Sequence, residues 1–462
     1  MRDPIQAIRS LLGNPAHAKH IVYAPRKVWS DANKKNRIFS EMWTGQWWHV
    51  VQNRLPQGAT MAPVILATDK TQLTQFSGNK SAYPVYLTLG NLPRSIRRKP
   101  SEHACVLIAY LSVDKIRRDN MSQVEQRGRM QRLFRESMRI LLEPLKDAGN
   151  NGVKMLCADG YVRKIFPILS SYVADYPEQC LVSCSKYGTC PKCQCPANDL
   201  QSPDKYPNRT QLWTENVIKN AKANAHRPSD FYNDCMAQDV SGGVYVPFWS
   251  GFPHTDIHRI ITPDVLHQLY QGVFKHIVNW CKQAMSPEEL DRRIRALPQM
   301  HGVRHFKNGI SALSQISGTE RKNMAKILLA CVADGIPARG VRAVNALLDF
   351  IYLAQYKTHD DIILGYMQDA LDRFHADRDY FIQVEIREDF NIPKFHSLIH
   401  YIESIKAFGT TDNYNTEMFE RLHIDFAKHD WAASNRQDEF PQMTTWLSRQ
   451  EKISLYETYL SW

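Results

Sequence analysis

Three short apolar runs, VILAT (64–68), YPVYLTLG (83–90) and ACVLIAYLSV (104–113), follow one another with turn-rich or basic linkers between them. They limit the fold more than any other feature of the chain. Runs this short, rich in β-branched and aromatic residues, read as strands, and three in succession read as a meander. GRMQRLFRESMRILLEPLKDAG (128–149) comes next, with apolar residues at helical spacing and Gly149 at its end, so a helix is expected to pack on that sheet. VKMLCAD (153–159) reads as a fourth strand, VRKIFPILSSYVADY (162–176) as a helix and QCLVS (179–183) as a short fifth strand. The expected order over residues 60–185 is therefore β, β, β, α, β, α, β.

That is the order of a ribonuclease-H-like fold, although other α+β domains use the same count of elements. Around it the chain divides into a Trp-, Arg- and Lys-rich helical lead-in (1–60), a core with a cysteine element (61–200), a mostly helical stretch (201–410) and a last helical segment (411–462) carrying Glu417, Glu420, Arg421 and His423. The expected class is α+β, a ribonuclease-H-like core interrupted by a large, mostly helical insertion. With 462 residues and 43% apolar content the chain can bury a sizeable core. Its formal charge of +11 points to an anionic partner, nucleic acid before membrane. No run of eighteen apolar residues appears and the first residues lack a signal-peptide core, so an intracellular protein without a membrane span is expected. The basic runs RSIRRKP (94–100) and RGRMQRLFRESMR (127–139) are either solvated charge or phosphate contacts.

Two aspartates end predicted strands: Asp69 after the first and Asp159 after the fourth. In a ribonuclease-H-like sheet those two ends lie side by side, and converging carboxylates hold hard divalent ions such as Mg²⁺. Taken alone, Asp69 reads more readily as a turn residue or helix cap, and Asp159 is open to the same reading as an ordinary strand-to-helix turn. Five cysteines crowd between Cys180 and Cys195, and Cys190-Pro-Lys-Cys193 has the spacing of a zinc knuckle. One CxxC supplies half of a tetrahedral site. Cys184 with Cys180 or Cys195 completes it locally, or a distant histidine (His254, His258 or His267) does. Thr262 and Pro263 read as the cap and first residue of a helix that carries His267. His396 and His400 have metal-like spacing, but without an intervening glutamate a packed helix face is the favoured reading.

The stretches ATDKTQLTQFSGNKSAYPVYLTLGN, GVKMLCADGYVRKIFPILSSYVADYPEQCLVSC with CPKC, HTDIHRIITPDVLHQLYQGVFKHIVNWC and YNTEMFERLHIDFAKHDWAASNR together resemble the Plavaka transposases, fungal relatives of the CACTA cut-and-paste DNA transposons. The likeness runs from about Asn14 to Trp462. It implies a DDE-type DNA transposase of the nucleus that cleaves and joins DNA with two Mg²⁺ (or Mn²⁺) ions. Its partners would be double-stranded DNA, as transposon ends and target, and copies of itself in a homo-oligomer. Asp69 matches the first acid, Asp159 the second, and Glu420 or Glu417 the third, with Glu420 preferred. The resemblance also implies a structural Zn²⁺ held by the cysteine element (Cys184, Cys190, Cys193) and a downstream D-x-x-H partner, Asp264 to His267. Full-length relatives carry a zinc-finger region ahead of this segment, so a shortened copy is expected. A domesticated DNA-binding derivative and another ribonuclease-H-like nuclease are the competing readings.

Overall fold

The computed structural model describes residues 1–74, 80–114, 116 and 121–461. Helix α1 (Pro4–Gly13) is capped by Asp3 and lies against a mixed five-stranded sheet. The meander is present as β1 (Thr60–Thr68), β2 (Pro84–Leu89) and β3 (Cys105–Tyr110), joined antiparallel. Helix α2 (Gln123–Asn151) follows, with Ser122 as its N-cap, and packs on the sheet through Phe134, Met138, Leu141, Leu142 and Leu145. All nine residues of β1 are buried, as a strand between two neighbours and covered on both faces requires.

Two expected elements are corrected. Residues 162–176 are not a helix: β4 (Val153–Leu156) turns into the twelve-residue strand β5 (Val162–Val173), which pairs antiparallel with β4 and parallel with β1. The sheet order is β3-β2-β1-β5-β4. Ile165, Ile168, Leu169 and Tyr172 recur at spacings that suit a helix, but a strand buried on both faces gives the same unbroken apolar pattern. Pro167 opposes the helix. In a helix interior it would remove a hydrogen bond and clash, whereas here it sits beyond Ile165, where β4 pairing has ended and no partner on that side needs its N–H. A bulge beside Val64 leaves Ser170 outside the β1 register, and its hydroxyl donates to the Val64 carbonyl.

QCLVS is likewise helical rather than a strand. Asp175 caps α3 (Tyr176–Ser183) and Pro177 occupies its first turn. The observed order is therefore β, β, β, α, β, β, α.

Helices between Val265 and Ile405 build a second apolar core, centred on residues such as Phe274, Trp280, Leu347 and Phe374. The chain then returns to the sheet. Phe408, Tyr414, Met418, Phe419 and Leu422 belong to the same core as β1 and β2. Arg97 fastens this return. Its buried guanidinium donates to the carbonyls of Leu92 and Asn413 and to Asn413 Oδ1, and burial pulls it down to about 10. Arg97→Ala is expected to destabilise the protein by about 3 kcal/mol, since it strands buried acceptors bonded to a charged donor. A urea titration that moved by less than about 1 kcal/mol would contradict this assignment.

Candidate acidic site and metal centre

β1 and β5 run parallel, and their last registered pair is Ala67 with Val173. Continuing that register two residues sets Asp69 opposite Asp175, one past the end of β1 and two past the end of β5. Asp175 accepts the Glu178 N–H as the cap of α3. Burial pushes its carboxyl up, opposed by that hydrogen bond and by His267, with Asp69 and Asp264 adding to the rise. Glu178, one turn on, is half-buried and accepts from the Thr68 and Tyr83 hydroxyls. Burial carries its carboxyl up to about 8.

The third carboxylate comes from α6, the helix Thr416–His423, where α4 denotes the π-helical segment Val265–Phe274 and α5 denotes Tyr401–Phe408. Glu420 Oε1 lies 3.1 Å from His267 Nε2, and the other ring nitrogen of His267 lies 2.7 Å from Asp264 Oδ2. Asp264 is buried. It caps α4 through the N–H groups of Leu266 and His267 and accepts from the Thr416 hydroxyl at 2.7 Å. The cap of that helix is therefore Asp264 and not Thr262. Burial works against a charged ring at His267, yet its hydrogen bonds to Asp264 and Glu420 hold it up at about 11. Asp69 meets a different histidine: His423 Nε2 is 3.1 Å from Asp69 Oδ2.

Glu417, three residues before Glu420, turns elsewhere. It pairs with Lys322 and accepts from Asn415. Of the two glutamates, only Glu420 reaches the Asp264–His267 pair.

Asp159 is not brought to this place. It occupies the turn between β4 and β5, where Gly160 takes a positive φ of 82°, and it forms a two-pronged pair with Arg163 at 2.7 Å on each arm. The length of β5, roughly 35–40 Å at 3.3 Å per residue, separates that turn from Asp175. Arg163 in turn stacks over the Tyr23 ring at 3.8 Å. The Asp159 carboxyl is lowered chiefly by its hydrogen bonds from Arg163. The Arg163 fork and the Tyr161 N–H of its own turn are the hydrogen-bond partners of its carboxylate.

The cysteine element closes on histidines that the sequence had left as a packed helix face. Cys190 Sγ is 3.3 Å from His400 Nε2 and Cys193 Sγ is 3.1 Å from His396 Nε2. Ligand atoms of all four lie within 4.8 Å of one another, and no other group of three or more His, Cys, Asp or Glu gathers so closely among the described residues. Two thiols and two imidazoles, all buried, are a donor set that fits tetrahedral Zn²⁺. Supporting bonds are in place: the N–H groups of Lys192 and Cys193 donate to Cys190 Sγ, and His396 Nδ1 bonds the Leu200 carbonyl. Burial would raise the Cys190 thiol, but hydrogen bonds from Cys193, His396 and His400 and the charge of His400 bring it well below the usual thiol range.

Cys184 is not part of this centre. It ends α3 with a φ of 59° and belongs to the sheet core. His267 is likewise occupied between Asp264 and Glu420, and His258 bonds Thr214 and the Pro191 carbonyl.

The chain thus combines a mixed sheet, Asp69 and Asp175 just beyond the ends of its two parallel strands, a Glu420–His267–Asp264 chain and a Cys₂His₂ centre that can hold zinc. A family model described as Plavaka transposase matches residues 1–281, well over half of the 462 residues. The chain belongs to the Plavaka transposase family. Membership implies, in general terms, an enzyme that binds DNA and cuts or transfers it. No curated protein matches the chain. No helix among the described residues is long and apolar enough to cross a membrane.

Proposed function

We propose that the chain is a DDE-type transposase whose catalytic acids are Asp69, Asp175 and Glu420, with Asp175 taking the place that Asp159 held in the sequence reading. The observation that carries this is the parallel register of β1 and β5, which, continued past the strand ends, sets two aspartates beside each other while α6 delivers a glutamate to the histidine nearby. The sheet order, with an antiparallel meander and a parallel strand next to the first, supports a ribonuclease-H-like core. The helices of the second apolar core would then be an insertion ahead of the third acid.

Hard carboxylate oxygens suit Mg²⁺ or Mn²⁺, and Asp69, Asp175 and Glu420 are the acids that three neighbouring elements would offer to such ions. Such ions, when bound, supply charge neutralisation at the phosphodiester and a more acidic water. The protein's own part is positional. Asp69 and Asp175 follow the ends of the two parallel strands, and Glu420 is oriented by His267, which Asp264 and Thr416 hold in place. The Cys190, Cys193, His396 and His400 centre would hold a structural Zn²⁺. Transposon ends and target DNA would be the substrates, self-association the working state and the nucleus the site of action.

Incubating the full chain with labelled duplex and Mg²⁺ or Mn²⁺ tests the reading. Metal-dependent strand cleavage followed by end joining is expected. DNA binding with no cleavage in either metal would favour a domesticated DNA-binding protein, and cleavage without joining a nuclease. Between the two glutamates, Glu420→Gln should reduce cleavage about a hundredfold or more, while Glu417→Gln, which loses a half-exposed pair with Lys322, should stay within about threefold of the parent. Equal losses in the same cleavage assay would reopen the choice.

A further inference from the structure

His423 stands one helical turn after Glu420 on α6 and is buried, with its ring wedged between Asp69 and the Tyr86 ring of β2. Its two nitrogens are both engaged. Nε2 is 3.1 Å from Asp69 Oδ2, and Nδ1 is 2.9 Å from the Tyr86 hydroxyl. An ionised carboxylate only accepts, so the hydrogen between His423 and Asp69 belongs to Nε2. Tyr86 is completely buried, and burial keeps its phenol protonated, so its O–H is available to donate to Nδ1. The second nitrogen thereby fixes the tautomer at the first. Phe419 and Phe426 pack around the Tyr86 ring, at 6.1 and 5.9 Å between centroids, and hold the tyrosine in turn.

We infer that His423, seated by Tyr86, is a positioning residue that locks the Asp69 carboxylate to the helix carrying Glu420. This rests on the reading of Asp69 as a metal ligand. One helix then bears both the third acid and the clamp on the first, so their separation is set by α6 and not by the linker after β1. Asp69 itself is 41% exposed and lies beyond its strand, with nothing in β1 to fix its side-chain torsions. The hydrogen bond removes that freedom while leaving a carboxylate oxygen for an ion. Partners of metal-ligating carboxylates commonly govern affinity by 10–100-fold.

The test is Mn²⁺ binding to the zinc-loaded full chain without DNA, measured by calorimetry, alongside thermal melting. His423→Phe keeps a buried ring and removes the donor, and about 10–100-fold weaker Mn²⁺ binding is expected. His423→Gln can still donate and should recover most of the affinity. Tyr86→Phe deletes one oxygen from a packed ring and should weaken binding by about 3–10-fold with little change in melting, so the inference stays testable if the histidine variant fails to fold. Asp69→Asn separates the two levels of the argument. If it loses Mn²⁺ while His423→Phe and Tyr86→Phe bind as the parent does, the positioning role is wrong and the metal reading stands. If Asp69→Asn binds Mn²⁺ as tightly as the parent, the metal reading fails and takes the inference with it.

Discussion

Asp175→Asn is expected to lower metal-dependent DNA cleavage about a thousandfold or more, and Asp159→Asn to leave it within about twofold. The first figure follows from removing a charged ligand at the reacting centre, where several kcal/mol of stabilisation are at stake and 1.36 kcal/mol is a factor of ten. The second follows from what Asp159 touches: Arg163 and the backbone of its own turn, in a partly exposed ion pair that contributes little. Both variants should still bind duplex DNA, since neither change removes a basic residue. Asp175→Asn also keeps an acceptor oxygen for the Glu178 N–H, so the cap on α3 survives and a loss of activity is not a loss of fold. Cleavage that vanished with Asp159→Asn and persisted with Asp175→Asn would return the second acid to the hairpin tip.

The contrast between those two aspartates marks where the sequence was readable. The meander and α2 could be read because each element had its own period and its own punctuation: turn-rich or basic linkers between strands, and helical spacing with a glycine near the end of the helix. Residues 162–173 carried no such contrast. A strand covered on both faces has no alternation, and its apolar positions fitted a helix until Pro167 was weighed. That one element made VKMLCAD, not VRKIFPILSSYV, the strand beside β1, and so put the candidate acid at Asp159 where the proposal now has Asp175, sixteen positions on. The Asp-Tyr-Pro sequence at 175–177 was the available signal, a cap and a first-turn proline directly after an apolar run. The metal centre was half legible for a different reason. Cys190 and Cys193 lie in one tight turn, so local spacing reveals them, but their partners stand about two hundred residues away and only tertiary structure joins them. His423 offered no signal, since its role depends on Tyr86 and Asp69, each more than three hundred residues distant.

Zinc should account for a larger share of the stability than any single side chain. The purified chain is expected to carry about one Zn²⁺, and stripping it with a strong chelator, or making Cys193→Ser, should lower the melting temperature by about 10 °C or more. The reason lies in what the four ligands connect. His400 is followed by Tyr401, whose hydroxyl donates to the Asp264 carbonyl at 3.0 Å, and two residues before His396 stands Lys394, whose ammonium donates to the His267 carbonyl at 2.9 Å. On the other arm, Lys192, between the two cysteines, donates to the carbonyls of His258, Arg259 and Ile261 at 3.2, 3.1 and 2.7 Å. Both arms therefore grip one segment, residues 258–268, whose Asp264 and His267 orient Glu420. Without the ion, only the Cys190–His400 and Cys193–His396 hydrogen bonds join the two arms, and each arm moves more independently of the other. Melting and Mn²⁺ affinity should fall together in the stripped protein, and re-addition of Zn²⁺ should restore both. A chain that contains no zinc by elemental analysis, and whose Cys193→Ser variant melts with the parent, would leave the centre as a set of hydrogen-bonded thiols and imidazoles with no ion to hold.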